Sequence, residues 1–368
     1  MNNPAGQLGF GGGVRTWNDT NHNYVPDCDL TSPLANGECG ALPNTSRGLA
    51  KVPTQFYDPG YLTGWDVRPY YWNSSVSLQQ ELRPGVGLNV GYFNTWNGNL
   101  TVTANRAQPA SVFNSYCVPA PTDSRLGAVS GQSLCGLYDV DPLYFGKVNN
   151  LITQASNYGK WTNIYNGVDA TVSARFGKGG TLQGGFSTSK LAVNNCSVAA
   201  QVPQVLVSGS TNTPAGYCSY TIPWSAQTQL KLFGAYPLPW WRLQVSGTFQ
   251  NLSGPQDTAS HTYTNAQILP SLGRNLSSGP NGTVSVALLP PYSQFEPRFN
   301  QVDLRLTKAV VLGRARALLA IDGYNLFNSA SVLATNGTYA GTTGGSWLTP
   351  TSILGARLMK LGLQLDWK

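Results

Sequence analysis

Charge is scarce in this 368-residue chain: 23 Lys and Arg against 16 Asp and Glu make only 11% of the residues, under half the roughly 25% of an ordinary soluble domain. Histidine is scarcer still. His22 and His261 are the only two, too few for a zinc site of the usual Cys/His kind, and no G-x-S-x-G or phosphate-loop signature accompanies them. Gly177-Lys178 lacks both the upstream glycine and the following Ser or Thr of a phosphate loop. No enzyme class is therefore indicated. Lys/Arg runs of the density that nucleic acid requires are missing too. No stretch approaches the roughly 18 to 20 consecutive apolar residues of a spanning helix, which excludes a helical membrane protein and leaves a β-barrel open. The start, MNNPAGQLGFGGG, has neither the basic nor the apolar segment of a secretory signal.

What is present points to a folded chain. Hydrophobic residues make 41%, with 10 Trp, 18 Tyr and 12 Phe, so 41 Gly and 24 Pro do not imply disorder. Six cysteines fall as three sequence neighbours: Cys28 and Cys39, Cys117 and Cys135, Cys196 and Cys218. Fifteen pairings are possible, and local pairing is the simplest. With no C-x-x-C, this usage indicates an oxidising compartment, so the absent signal is read as a sign that the chain is the C-terminal part of a longer protein.

The strongest periodicity is two. Ile164, Val168, Ala170, Val172, Ala174 and Phe176 alternate with Tyr165, Gly167, Asp169, Thr171, Ser173 and Arg175, the pattern of a strand with one apolar and one polar face. Val86, Leu88, Val90, Tyr92 and Trp96 behave in the same way, as do Trp241, Leu243, Val245 and Phe249, and Val302, Leu304 and Leu306. Nine such segments start near Trp72, Val86, Trp161, Thr181, Ser225, Trp240, Phe299, Arg314 and Ser352, with a weaker tenth near Gly6 to Trp17.

Short and long connections alternate. Arg83-Pro84-Gly85, Gly177 to Gly180, Pro237-Leu238-Pro239 and the turn around Leu312-Gly313 are tight, whereas about Asn105–Gly159, Val193–Pro223, Ser253–Pro297 and Ser329–Pro350 are long and polar. Loops this long count against a soluble sandwich and are expected outside an outer-membrane barrel, whose periplasmic turns are short. The expected fold is all-β: an antiparallel up-and-down transmembrane barrel, here a partial one of about 9–10 strands. Residues 1–67 would be mostly an N-terminal extracellular loop and 68–368 the hairpins of one barrel domain.

Several separate segments carry a family resemblance: WNDTNHNYVPDCDL and ANGECG (Trp17–Leu30, Ala35–Gly40), GWDVRPYYW (Gly64–Trp72), CGLYDV (Cys135–Val140), FNQVDLRLTK (Phe299–Lys308), YNLFN (Tyr324–Asn328) and PTSILGARLMKLGLQLDW (Pro350–Trp367). Together they resemble the C-terminal barrel region of TonB-dependent outer-membrane receptors, in particular the subgroup with an N-terminal carboxypeptidase-regulatory-like domain. The resemblance implies the bacterial outer membrane and binding and gated import of a scarce solute, a chelated metal or an oligosaccharide, with no bond broken. It also implies a signal peptide, a plug and a TonB box that this sequence does not include. TonB would act only through the plug. Lipid, lipopolysaccharide and the barrel-assembly machinery are the other expected partners, and the net charge of +7 suits an anionic surface. The competing readings are a self-contained small porin or adhesin, or a secreted glycan-binding β-protein that would bury Val168, Val172, Leu243 and Leu304 in a closed core.

In the resembled family a closing strand that ends in an aromatic is the assembly signal, here Leu361, Leu363, Leu365 and Trp367, although Lys368 follows the aromatic. Asp19, Asn21, Asn23 and Asp27 place oxygens at positions 1, 3, 5 and 9 of a calcium-loop pattern, but Tyr24 and Leu30 stand where an EF-hand has Gly and Glu. A structural Ca²⁺ and an Asx-turn loop stapled by Cys28 and Cys39 are the two alternatives. Asp169, Arg175, Arg242, Gln244, Asp303, Arg305, Asp322 and Lys360 are expected on the inner wall. Tyr71, Trp72, Tyr92, Trp96, Trp240 and Trp241 are expected in interfacial girdles. Trp347, Tyr263, Tyr292, Tyr339, Tyr57 and Tyr61 are loop aromatics suited either to stacking on a sugar or to clamping a ligand.

Overall fold

The computed structural model describes residues 15–32, 34–40, 54–208 and 211–367. The tenth strand expected over Gly6–Trp17 lies almost wholly outside the described residues, as does Lys368. The chain divides between Phe56 and Tyr57 into two units.

The second unit is built on nine strands: β1 (Tyr70–Arg83), β2 (Val86–Gly98), β3 (Thr162–Phe176), β4 (Gly180–Asn194), β5 (Gln229–Pro237), β6 (Leu243–Leu252), β7 (Phe299–Leu312), β8 (Ala315–Tyr324) and β9 (Leu358–Trp367). Each pairs antiparallel with the next, in sequence order. This is the up-and-down order the alternating connections imply. Among the described residues β1 and β9 do not pair, so the sheet is open.

Register makes the alternation a property of the whole sheet. Leu78 faces Val90, which faces Ala170, which faces Phe186, which faces Leu230. Further along, Phe249 faces Val302, Leu306 faces Ile321, and Ile321 faces Leu361. One face is thus mainly apolar, interrupted where Leu230 meets Asn251, and no second layer covers it: Val76, Leu78, Val90, Phe186, Leu304, Ile321 and Leu361 are all exposed. Val168, Val172 and Leu243 are half-buried, shielded only by their neighbours in the sheet. The closed core that a soluble reading requires is not built from these residues.

Aromatic bands bound this face. At the loop end Trp72 lies opposite Trp96, with Tyr70 edge-on to Trp96 at 6.4 Å between centroids. At the turn end Phe176 and Tyr236 stack at 5.9 Å. Gly180 sits between those two rings, and a Cβ there would lie 2.7 Å from each. From Trp72 to Leu82, β1 runs about 34 Å at ~3.4 Å per residue, or about 24 Å along a membrane normal at a ~45° tilt.

Three turns follow the sequence expectation and one differs. β5 ends at Pro237 but β6 begins at Leu243, because Trp241 and Arg242 both take left-handed backbone angles (φ 58° and 52°) and the Leu238 amide closes the turn onto the Leu243 carbonyl at 2.8 Å. Arg242 is therefore a turn residue and not part of the inner wall. The segment expected from Ser352 is likewise two elements: Pro350–Ile353 pairs with Val332–Thr335, and β9 starts only at Leu358.

The buried apolar core lies in the loops. Short paired segments within the first long connection (Phe113–Pro119 with Ser133–Val140), a four-stranded patch drawn from the second and third connections, and the helix Asn265–Leu272 pack together. Thr264 and Gln267 form a capping box at the start of that helix, and Gly273 ends it at φ 76°. Tyr116, Leu126, Leu137, Ile268, Val286, Leu288, Tyr339 and Trp347 are among the residues this crown buries. A smaller cluster joins Val102, Ala104 and Ala155 of the first connection to Val198 and Val202 of the second.

The crown core and the apolar face of the sheet should respond differently to truncation. Leu288→Ala, at a side chain 0% exposed, is expected to cost about 2–5 kcal/mol. Leu361→Ala, at 79% exposed, should change the stability in detergent by under about 1 kcal/mol. Thermal unfolding followed by near-UV circular dichroism in micelles compares them.

Candidate functional site: the inner wall and the loop crown

The second face of the sheet is polar and hydrogen-bonded across strands. Arg305 on β7 forks onto Asp322 on β8, at 2.5 Å from Nε and 3.0 Å from Nη2, and Asp322 is buried. Asp303, two residues along, accepts from the Gln301 amide at 2.9 Å and from the Asn325 main-chain N–H at 2.7 Å. Asp169, Arg175, Gln244 and Lys360 take inward positions on β3, β6 and β9 by the same register. Of the wall residues expected from sequence, Arg242 alone is misplaced.

One region of this wall departs from regular pairing. Ile222 at the end of a short strand, Ser219–Ile222, faces Leu191 of β4, and Gln229 at the start of β5 faces Ser187. Six residues, Pro223–Thr228, thus bulge opposite three, Thr188–Lys190. Arg298 pins the bulge, donating to the carbonyls of Ser225 at 3.3 Å and Thr228 at 2.7 Å and to Asn251 Oδ1 at 2.9 Å. Ser253 Oγ donates to the Ser225 carbonyl at 3.1 Å. A cavity of 320 Å³ opens beside it, lined by Phe93, Tyr165, Asp169, Ser187, Ser189 and Gln229, with Gln227 from the bulge. Bulges are commonly found where a strand re-aims side chains for function.

The crown corrects the reading of the loop aromatics. Trp347, Tyr263 and Tyr339 are only 2%, 1% and 1% exposed and belong to its core. Their polar tips are used internally: Trp347 donates to the Thr258 carbonyl at 2.8 Å, Tyr263 to the Pro119 carbonyl at 2.8 Å and Tyr339 to Asp123 at 3.1 Å. Burial pushes the Tyr263 phenol up to about 12. These three rings hold loops together and offer no face to a ligand. Tyr292 stacks on Tyr220 at 5.6 Å, and Tyr57 stacks on Tyr61 at 6.0 Å with Arg68 over the Tyr61 ring at 4.9 Å.

The Asp123–Arg125 pair (2.6 Å) closes another side of the crown, with Arg125 lying 5.0 Å over the Trp347 ring. That guanidinium holds the Asp123 carboxyl down at about 2. Disulfides join Cys117 to Cys135 and Cys196 to Cys218 within the first and second connections.

In the first unit, Cys28 pairs with Cys39. Asp19, Asn21, Asn23 and Asp27 come together in one exposed turn, but their groups bond to one another. Asn21 and Asn23 donate their amides to Asp27 Oδ2 at 2.5 and 3.0 Å, while both Asp19 oxygens accept main-chain N–H groups of Asn23 and Tyr24 at 3.2 and 3.0 Å. The side-chain oxygens of Asn21 and Asn23 accept the amides of Asn23 and Val25. Glu38 is held down at about 2, chiefly by the Thr20 hydroxyl and amide.

Leu361, Leu363, Leu365 and Trp367 form the exposed outward row of β9, with β8 on one side and, among the described residues, an unpaired edge on the other. The cavity residues are those that sequence reasoning missed. One signal was available: Phe93 is a large apolar residue at a position where its strand otherwise turns Gly87, Asn89, Gly91 and Thr95 inward.

No protein-family model and no curated protein matches the chain. Solved structures similar to it include the outer-membrane ferripyoverdine receptor of Pseudomonas aeruginosa (12% identity, TM-score 0.39, covering 81% of this chain and 27% of that one). The outer-membrane transporter YddB from Escherichia coli is similar at 12% identity and a TM-score of 0.41, over 80% of this chain and 32% of its own. The FrpB iron transporter from Neisseria meningitidis follows at 14% and 0.35, over 80% and 31%. The chain spans about a third or less of these proteins.

Asp257 gives a pH signature to the crown. It is 7% exposed and its Oδ1 has no hydrogen-bond partner; burial, helped by Glu296, pushes the carboxyl up to about 6. A carboxyl raised in the folded state keeps its proton where the unfolded chain has lost it. Stability should therefore fall as pH rises from about 4 to about 6, then level off. Asp257→Asn should flatten that segment of a melting-temperature profile taken from pH 4 to 7; an unchanged slope would show that another group causes it.

Proposed function

We propose that this chain is the membrane-embedded, solute-facing part of a bacterial outer-membrane receptor or transporter. The observation that carries the reading is the mainly apolar face that all nine strands present with no protein layer over it, backed by a hydrogen-bonded polar face and edged by aromatics at both ends. In water such a face would be an aggregation surface. In a bilayer it is the lipid face, and strand pairing satisfies the main-chain groups that lipid cannot everywhere but along the open edges of β1 and β9.

In this reading the crown stands outside the cell and receives a small solute, the polar wall lines its path, and passage breaks no bond. The TonB-dependent mode implied by the family resemblance would act on this wall through a plug domain. The outward row of β9, ending at Trp367, would be presented to the assembly machinery, and the cationic balance of the chain would favour lipopolysaccharide. The porin or adhesin alternative shares the same lipid face. The secreted glycan-binding alternative is disfavoured by the uncovered positions of Leu304 and its row.

Tryptophan quenching by brominated lipids tests the reading. Reconstituted protein should show strong quenching of Trp72, Trp96, Trp240 and Trp241 by lipids brominated near the headgroup, and protection of Trp347. Trp367→Ala should lower the fraction of protein assembled in the outer membrane of an expressing cell. Protein that stays monodisperse without detergent, with unquenched tryptophans, would overturn the membrane assignment.

For the Asp19–Asp27 turn, the internal bonding supports the loop without a cation, since a Ca²⁺ ion would have to displace both amide–carboxylate bonds at Asp27. Adding Ca²⁺ or a chelator should leave the melting temperature within about 1 °C. A Ca²⁺-dependent rise that Asp19→Asn abolishes would restore the ligand reading.

A further inference from the structure

The end of the sheet that carries the short turns is strongly cationic. Arg83, Arg175, Lys178, Arg242, Lys308, Arg314 and Arg316 lie there, all exposed, against only Glu81 and Asp366 of opposite sign. Among the described residues the three ion pairs use none of these cations. Register sets Lys308 apart. It faces Leu243 of β6 and Leu319 of β8 and so belongs to the apolar face. Deep in that face a lysine would leave its charge in lipid. At the last rung before the turn between β5 and β6, its stem can lie along the leucines while the ammonium reaches the headgroups. The main chain brings Arg242 beside it, since the Ala309 N–H donates to the Arg242 carbonyl at 3.3 Å. Trp241 and Arg242 are consecutive non-glycine residues held at left-handed angles, a cost that structures commonly carry where a ligand is clamped. That turn leaves Trp240 and Trp241 exposed at 55% and 75%, and indoles favour the membrane interface.

We propose that the Trp240–Arg242 turn and Lys308 bind the phosphate of an anionic phospholipid in the leaflet on the short-turn side, with its acyl chains against Leu243 and Leu319. The proposal rests on the reading of the apolar face as the lipid face and adds a lipid class and a position. Two adjacent cations that pair with no carboxylate favour a headgroup of net negative charge over a zwitterionic one, whose own ammonium they would repel. Free phosphate would give the leucines no role. Lipopolysaccharide, in the same reading, lies on the side of the crown, in the other leaflet. An acidic protein segment would have to enter the acyl region to meet Lys308 between two leucines. The remaining cations of this end enrich anionic lipid near the rim without selecting a position.

The test uses the full chain reconstituted in phosphatidylcholine vesicles, into which phosphatidylglycerol or phosphatidylcholine brominated on the acyl chain just below the glycerol is mixed in equal amount. Extra tryptophan quenching by the brominated phosphatidylglycerol measures its preference over the zwitterionic lipid. A preference of roughly fivefold per cation is expected, so Arg242→Gln and Lys308→Gln should each lower it several-fold and the double variant should abolish most of it. Lys178→Gln and Arg314→Gln, at the same end of the sheet, should change it by less than about twofold. All four single variants should keep the wild-type circular dichroism. Equal quenching by the two lipids, an equal loss in the Lys178 and Arg314 variants, or displacement of the lipid by inorganic phosphate would overturn the site. Protein that inserts but shows no preference sinks this inference alone, whereas protein that neither lipid quenches has not inserted and sinks the membrane reading with it.

Discussion

Everything in the larger unit depends on cross-strand register. Eight consecutive antiparallel ladders keep residues of like polarity in line, and a slip of one residue in any ladder would send its strand's apolar set to the wet face and its polar set to the other. The Arg305–Asp322 fork and the Phe176–Tyr236 stack across Gly180 lock particular ladders. Both depend on side chains meeting at one register only.

The sheet has no interior of its own, so the buried apolar area is concentrated in the crown. That division explains why the longest connections are also the most structured: each contributes a strand pair, a helix or a buried ring to a shared core. Cys117–Cys135 and Cys196–Cys218 close stretches of 18 and 22 residues. Closures of this size restrict the unfolded chain by roughly 3 kcal/mol each on the entropic account. Polar tips of tyrosines then tie one connection to another, as when Tyr217 donates to the Leu288 carbonyl at 2.7 Å.

The strands were legible in the sequence because period two is a local signal, and their starting points shift by only a few residues. Trp240 and Ser352 mark where it fails. In the first case two non-glycine residues take left-handed angles, which side-chain polarity does not announce; in the second, two short elements with one polarity pattern run together. The crown was not legible. Trp347, Tyr263 and Tyr339 read as exposed loop aromatics because their burial depends on contacts between connections more than 80 residues apart, and no local pattern encodes those. The wall cavity lay between these extremes. Phe93 was a visible irregularity, but the Pro223–Thr228 bulge beside it appears only in the pairing of β4 with β5.

The count of strands carries a consequence of its own. β1 runs from the crown toward the short turns, and after eight reversals β9 runs the same way. The two free edges therefore have the same polarity, and a seam between them would be parallel, with slanted bonds unlike those of every other ladder in the sheet. The same holds for a ring made of two copies joined β9 to β1. A wholly antiparallel cylinder needs an odd number of additional strands between the edges. Its total is then even, and its first and last members can meet with both termini on the side of the short turns.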